Sequence, residues 1–236
     1  MKLLCVIPAY NEKNNLKPLI AGLFKILPKV SRDYEILFII QGNDGSKTLL
    51  RKLKKKYRKI SWIYFPNPLG VGRAYKTGFD RVTPRFSHVL TLDADLNHDP
   101  KSLPLFIRKM NSIDADLVVG SRFMRGGAFR DKRIWKKIIS KLTNKFIRMA
   151  VGLEIHDISS GYRLIKSPVI IDVRNRLLEK GYPNYMELLI KSSKLGYKMA
   201  EVPIVYEPRI WGKSKMGKMR TFIDYLFFLP KIFLIK

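Results

Sequence analysis

Apolar residues in the first half of the chain come in two textures. Short continuous runs fall at 3–7, 34–40, 62–65, 88–92 and 117–119, rich in β-branched and aromatic residues and bounded by Gly, Pro, Asn or Asp. These read as strands. Between them, near 16–27, 48–56, 72–82 and 103–110, apolar positions recur every three to four residues, which reads as amphipathic helix. Strand–helix alternation at this spacing predicts an α/β architecture: a Rossmann-like, mostly parallel central sheet flanked by helices. Ligands of such sheets bind beyond the carboxyl ends of the strands. Chemistry is therefore expected in the loops 8–12, 41–46, 66–72, 93–98 and 120–122, each rich in Gly, Asp, Asn or Pro.

After Gly127 the pattern changes. Residues 130–153 form a basic amphipathic helix pattern, with Ile134, Ile138, Leu142, Met149 and Leu153 at helical spacing and Trp135, Ile139, Phe146 and Ala150 beside them. Eight cations (Arg130, Lys132, Arg133, Lys136, Lys137, Lys141, Lys145 and Arg148) accompany one acid, Asp131. Two readings stand: a solvated helix packed on its own sheet, or a helix lying in a membrane interface, which favours Trp with Lys and Arg. A helix near 184–195 and a strand at 199–205 follow. The most apolar stretch, 221–236, is broken by Asp224, Pro230 and Lys231. It falls short of the ~20 apolar residues of a spanning helix, yet suits lying on a bilayer. No signal-peptide pattern is visible, because Pro8 and the polar residues 11–15 end the first apolar run.

Composition narrows the classes. The 236 residues suit one domain, and 46% hydrophobic with 11% aromatic residues exclude a disordered basic tail. A single cysteine, Cys5, excludes a disulfide scaffold and a Cys-based zinc site. The net charge of +27 exceeds what solubility needs and points to a polyanionic partner: nucleic acid, an anionic membrane surface or a phosphorylated substrate.

The sharpest local signal is Asp93-Ala94-Asp95-Leu96-Asn97-His98 after the fourth strand. Carboxylates at i and i+2 can turn toward one site, and Asn97 continues the spacing with a third oxygen. Hard divalent cations such as Mg²⁺ or Mn²⁺ take one or two carboxylates plus phosphates and waters, so Asp93, Asp95 and Asn97 are the candidate metal ligands. Turn formation alone is the competing reading. At the end of the first strand, Pro8-Ala9-Tyr10-Asn11-Glu12 offers a ring for base stacking and a carboxylate for ribose hydroxyls. Tyr10 as a core ring is the alternative. Gly70-Val71-Gly72 opens a helix whose N-terminus would favour diphosphate, or simply makes a tight turn.

Ile7-Pro8-Ala9-Tyr10-Asn11-Glu12, residues 67–78, residues 92–98 and Gly120-Ser121-Arg122 together resemble an inverting, GT-A-fold glycosyltransferase of family 2. In the second half, Asp157-Ile158-Ser159-Ser160-Gly161-Tyr162-Arg163, Tyr185-Met186-Glu187 and Glu201-Val202-Pro203-Ile204 resemble its polyprenyl-phosphate (dolichol-phosphate) mannose synthase branch. So does Arg209-Ile210-Trp211-Gly212-Lys213-Ser214-Lys215. The resemblance covers roughly residues 1–220. One pattern departs: the family's V-V-D-D-G-S after the second strand stands here as Ile39-Ile40-Gln41-Gly42-Asn43-Asp44-Gly45-Ser46. Either Asn43 replaces the first aspartate in a longer loop, or Gln41 does. No Q-x-x-R-W motif exists, which disfavours a processive synthase.

The resemblance implies one glycosyltransferase domain over 1–236, with 1–125 binding a nucleotide sugar and 126–236 an acceptor. Pro8, Tyr10, Glu12, Asn43, Asp44, Gly72, Asp93 and Ser214 would hold the donor; Asp95, Arg122, Arg209 and Lys215 would act in transfer, with Lys213 nearby. It implies transfer of a hexose, mannose from GDP-mannose first and glucose from UDP-glucose second, to a polyprenyl (dolichyl) phosphate. It places the protein peripherally on the cytoplasmic face of the membrane, against an anionic surface, with room for a membrane-anchoring subunit. A glycan or diacylglycerol hydroxyl is the alternative acceptor. No nucleic-acid partner is then required by the charge. Arg163 and Glu187 read equally well as buried structural residues.

Overall fold

The computed structural model describes residues 1–131, 134–209, 211 and 218–233. The first half runs β1 (Lys2–Tyr10), α1 (Lys13–Val30), β2 (Asp33–Gln41), α2 (Ser46–Lys54), β3 (Ile60–Phe65), α3 (Val71–Phe79), β4 (His88–Thr91), α4 (Leu103–Ile113) and β5 (Leu117–Ser121). The second half runs β6 (Ala128–Phe129), α5 (Ile134–Val151), β7 (Arg163–Lys166), α6 (Ser167–Val173), α7 (Asn184–Lys194), β8 (Met199–Pro203), β9 (Val205–Tyr206) and α8 (Lys218–Lys231).

Seven strands form one sheet in the order β3-β2-β1-β4-β7-β5-β8. Every neighbouring pair is parallel except those made by β7, which runs antiparallel to both β4 and β5. The continuous apolar runs have a simple cause: both sheet faces are covered. Along β1, Leu3, Cys5, Ile7 and Ala9 pack with Leu16, Leu19 and Leu23 of α1 and Phe106 of α4. Leu4 and Val6 point the other way, into a core with Tyr75 and Phe79 of α3, Val169 of α6 and Leu189 of α7. From β1 the chain builds outward through β2 and β3, then returns to lay β4 on the other side of β1. That reversal makes the carboxyl ends of β1 and β4 the place where a ligand fits.

Several elements differ from the sequence expectation. The helix expected over 130–153 is α5, ending at Val151 where Gly152 takes a left-handed φ of 68°. Its apolar row faces outward: Ile138, Leu142, Phe146 and Met149 are between 52% and 68% exposed, while Asn144 and Ile147 are buried. This disagrees with the reading of a helix that hides its apolar stripe on its own sheet. The strand expected over 199–205 divides into β8 and β9, the latter pairing with β6 outside the main sheet. Finally, β7 and α6 went unforeseen. No helix among the described residues is long and apolar enough to cross a membrane.

Candidate active site

Three loops converge at the switch point. Glu12 follows β1, Asp95 follows β4, and Arg209 follows β9. The Arg209 guanidinium joins the other two, with Nη2 2.7 Å from Asp95 Oδ2 and Nη1 3.2 Å from Glu12 Oε1. Both carboxylates are buried. Glu12 also accepts from the Asn15 side chain, one turn into α1. Asp95 Oδ1 accepts from the Asn97 backbone at 3.2 Å, across a turn in which Leu96 adopts φ 64°. Burial, and then the neighbouring Asp93 charge, push the Asp95 carboxyl up to about 7 against the pull of Arg209. Burial works against the Arg209 charge as well, but Asp95 and Glu12 reverse it and raise its affinity for the proton.

Asp93 sits beside this knot and accepts hydrogen bonds from the Tyr185 and Tyr75 hydroxyls at 2.9 and 3.2 Å. His98 is fully buried, with Nδ1 4.0 Å from Asp93 Oδ2, and burial lowers its basicity. Asn97 donates from Nδ2 to the Glu207 carbonyl at 2.6 Å. Its Oδ1 is buried with no hydrogen-bond partner among the described residues. Next to Glu12, a cavity of about 240 Å³ is lined by residues 11–15, Asp44 and the half-exposed Trp211.

In the second-strand loop the two candidate residues have different surroundings. Gln41 is buried, its Oε1 accepting from the Leu69 backbone at 2.7 Å, so it ties β2 to the loop before α3. Asn43 is exposed and pairs with the Tyr64 hydroxyl. Asp44 accepts from the backbone N–H groups of Ser46 and Lys13, fixing the starts of α2 and α1 while lining the cavity. Tyr10 closes β1 half-buried.

Several expected site residues are placed differently. Pro8 is a buried sheet residue paired with Ile39, two positions before β1 ends. Gly72 does not offer its N–H to a diphosphate: the N–H groups of Gly72 and Arg73 both donate to the Lys180 carbonyl, at 3.0 and 3.3 Å. A Cβ on Gly72 would lie 2.3 Å from the Glu179 carbonyl oxygen, so the glycine permits this close approach. The 177–183 loop is held there by buried Glu187, which accepts from the N–H groups of Leu178 and Glu179 and pairs with Lys191 at 2.6 Å. Arg122 is also redirected. It forms a bidentate pair with Asp157 at 2.7 and 2.8 Å and lies against Phe129 and Tyr206. Burial alone would raise the Asp157 carboxyl, but Arg122 holds it below the usual range. Lys213, Ser214 and Lys215 lie outside the described residues. Sequence reasoning missed Tyr75 and Asp157 as partners of site residues; a tyrosine within a helix pattern carries no local sign that its hydroxyl meets a carboxylate.

The donor set can be matched to a metal. Asp93, buried Asp95 and the unpartnered Asn97 oxygen supply hard oxygen ligands and excess negative charge, which fits a hard divalent cation. Among the described residues no three His, Cys, Asp or Glu side chains form a ready-made cage. Such a site is completed by ligands from phosphate and water.

An α/β sheet of this topology, with a D-x-D carboxylate pair at its switch point, defines a GT-A glycosyltransferase. The family model for glycosyl transferase family 2 matches residues 4–174, and the chain belongs to that family. Over 220 residues it is 32% identical to polyprenol monophosphomannose synthase of Mycolicibacterium smegmatis, covering 91% of this chain and 80% of that protein. It is 29% identical to undecaprenyl-phosphate mannosyltransferase of Micrococcus luteus, covering 92% and 88%. Among solved structures it resembles glucosyl-3-phosphoglycerate synthase from Mycobacterium tuberculosis in complex with Mn²⁺, UDP and phosphoglyceric acid. That match has a TM-score of 0.70 at 16% identity and covers 98% of this chain and 78% of that one.

Proposed function

We propose that this chain transfers mannose from GDP-mannose to a polyprenyl phosphate at the cytoplasmic face of a membrane, inverting the anomeric centre. The observation that carries the reading is the Glu12–Arg209–Asp95 cluster at the switch point, in a chain with this likeness to polyprenol monophosphomannose synthase. The bond from the anomeric carbon to the diphosphate oxygen breaks, and a bond to a lipid phosphate oxygen forms on the opposite face. GDP leaves with the electron pair. The lipid phosphate is anionic at neutral pH, so no side chain need deprotonate it.

Asp93 and Asp95, with Asn97, would hold Mg²⁺ or Mn²⁺, which supplies Lewis-acid stabilisation of the leaving diphosphate. Glu12 and Asp44 line the 240 Å³ cavity and, with Tyr10 and Asn43, would bind the nucleoside. Arg209, with Lys213, Ser214 and Lys215 of the following segment, would position the phosphates. Arg122 acts through Asp157, fixing the end of β5 beside the acceptor. Residues 126–236 form the acceptor side, and the exposed rows of α5 and α8 would rest on anionic lipid, alone or with an anchoring subunit.

The test is incubation with labelled GDP-mannose or UDP-glucose, Mg²⁺ or Mn²⁺ and a polyprenyl phosphate. A solvent-extractable, acid-labile mannolipid is expected from GDP-mannose. Product from UDP-glucose alone would replace the donor, and no sugar lipid from either would sink the reading.

A further inference from the structure

Asp93 is held by groups from both halves of the chain. Tyr75 comes from α3 and Tyr185 from α7, and both hydroxyls converge on one oxygen, Asp93 Oδ1. The two rings are buried and meet edge to face with centroids 5.6 Å apart. Behind them lies Arg163, buried, its guanidinium carbon 5.5 Å from the centre of the Tyr185 ring. Its Nη2 donates to the Ile158 carbonyl at 3.0 Å, and among the described residues it forms no carboxylate ion pair. A buried cation without an acid is costly; here it borders a small cavity shared with Tyr75, Thr91 and Tyr185. Gly161 completes the enclosure. A Cβ there would lie 3.0 Å from Tyr185 Cε1 and 3.1 Å from Asp93 Oδ2, so any side chain would press on the carboxylate.

We propose that Tyr75 and Tyr185, backed by Arg163, are positioning residues that preset the Asp93 carboxylate for a divalent cation, a role resting on the metal reading of Asp93 and Asp95. By placing two donors on Oδ1 they fix the rotation of the carboxylate and leave Oδ2, which neither hydroxyl engages, to the cation. Tyr185 does this from the acceptor half, so the metal ligand is set only when α7 is docked. Outer-shell hydrogen bonds of this kind change metal affinity by about 10–100-fold when removed.

The experiment is a Mn²⁺ titration of the full chain, with and without saturating GDP, reading free Mn²⁺ by electron paramagnetic resonance. Wild type, Asp95→Ala, Tyr185→Phe, the Tyr75→Phe/Tyr185→Phe double variant and Arg163→Met are compared, with circular dichroism and Tm as fold checks. The expected result is Mn²⁺ binding by the wild type and loss in Asp95→Ala. Binding should weaken about tenfold in Tyr185→Phe and further in the double variant, with kcat at saturating Mn²⁺ retained. Should Arg163→Met fail to fold, the two phenylalanine variants, which keep ring volume, still decide. Wild-type affinity in both phenylalanine variants, with Asp95→Ala inactive in binding, overturns the clamp and leaves the metal reading standing. No Mn²⁺ binding by the wild type, or equal binding by Asp95→Ala, overturns both.

Discussion

Arg209 stands where a divalent cation would bring positive charge, and its guanidinium pairs with both Asp95 and Glu12. A divalent cation seeking Asp95 must therefore compete with it. Removing that competitor should tighten metal binding while abolishing phosphate positioning, two effects of opposite sign from one residue. For Arg209→Ala, Mn²⁺ affinity is expected to rise about fivefold, as a partly buried charge pair of roughly 1 kcal/mol is lost, and sugar transfer to fall steeply. Unchanged or weaker Mn²⁺ binding in the variant would contradict the competition. The carboxylates themselves were legible in the sequence, because Asp93 and Asp95 follow a buried strand at i, i+2 spacing. Their environment was not. Arg122 was found at the end of β5, but its capture by Asp157 depends on a contact between distant segments that no local pattern records. Gly72 misled for a related reason: a glycine that opens a helix looks alike whether a phosphate or the Lys180 carbonyl meets its N–H.

At the scale of elements, α5 shows what periodicity leaves undecided. The spacing of Ile138, Leu142 and Met149 identified a helix, yet amphipathicity says only that one face is apolar, not what covers it. In the structure Asn144 and Ile147 turn inward, and the Asn144 side chain donates to Ser159, itself bonded to Asp157. Ile138, Leu142, Phe146 and Met149 are left outward, flanked by exposed Lys137, Lys141 and Lys145. Seating an apolar side chain in a bilayer interface contributes up to about 1.5–3 kcal/mol. Leu142→Asp/Phe146→Asp should therefore lower partitioning onto anionic vesicles at least tenfold in a flotation assay, with Tm unchanged. Equal flotation would remove α5 from the membrane contact. The strand β7 escaped notice because its four residues begin and end with cations, Arg163 and Lys166. Lys166 is satisfied by Asp114 and Asp116, and Arg163 belongs to the Asp93 enclosure, so neither charge argues against burial once the partners are known.

For the whole molecule, the charge of +27 and the sheet topology answer different questions. The charge concerns partners, and the proposed phosphates and anionic lipid account for part of it; the basic run 51–59 on and after α2 has no explanation in the structure. The overall α/β plan was legible because β1 to β5 alternate with helices. What could not be read was that the two halves share one sheet: β7, from the second half, lies between β4 and β5 of the first. This has a consequence for the order of assembly. As the chain emerges during synthesis, β4 and β5 are complete but cannot be neighbours, since the strand that separates them is made about forty residues after β5. Until then each has an open edge, the situation most prone to mispairing between chains. Closing such a long loop also slows folding relative to a locally paired sheet. A fragment ending at residue 125 should therefore fail to give a soluble monomer by size-exclusion chromatography, whereas one extended through α6 should give more. A well-folded 1–125 fragment would show that the first half assembles without its late-arriving strand.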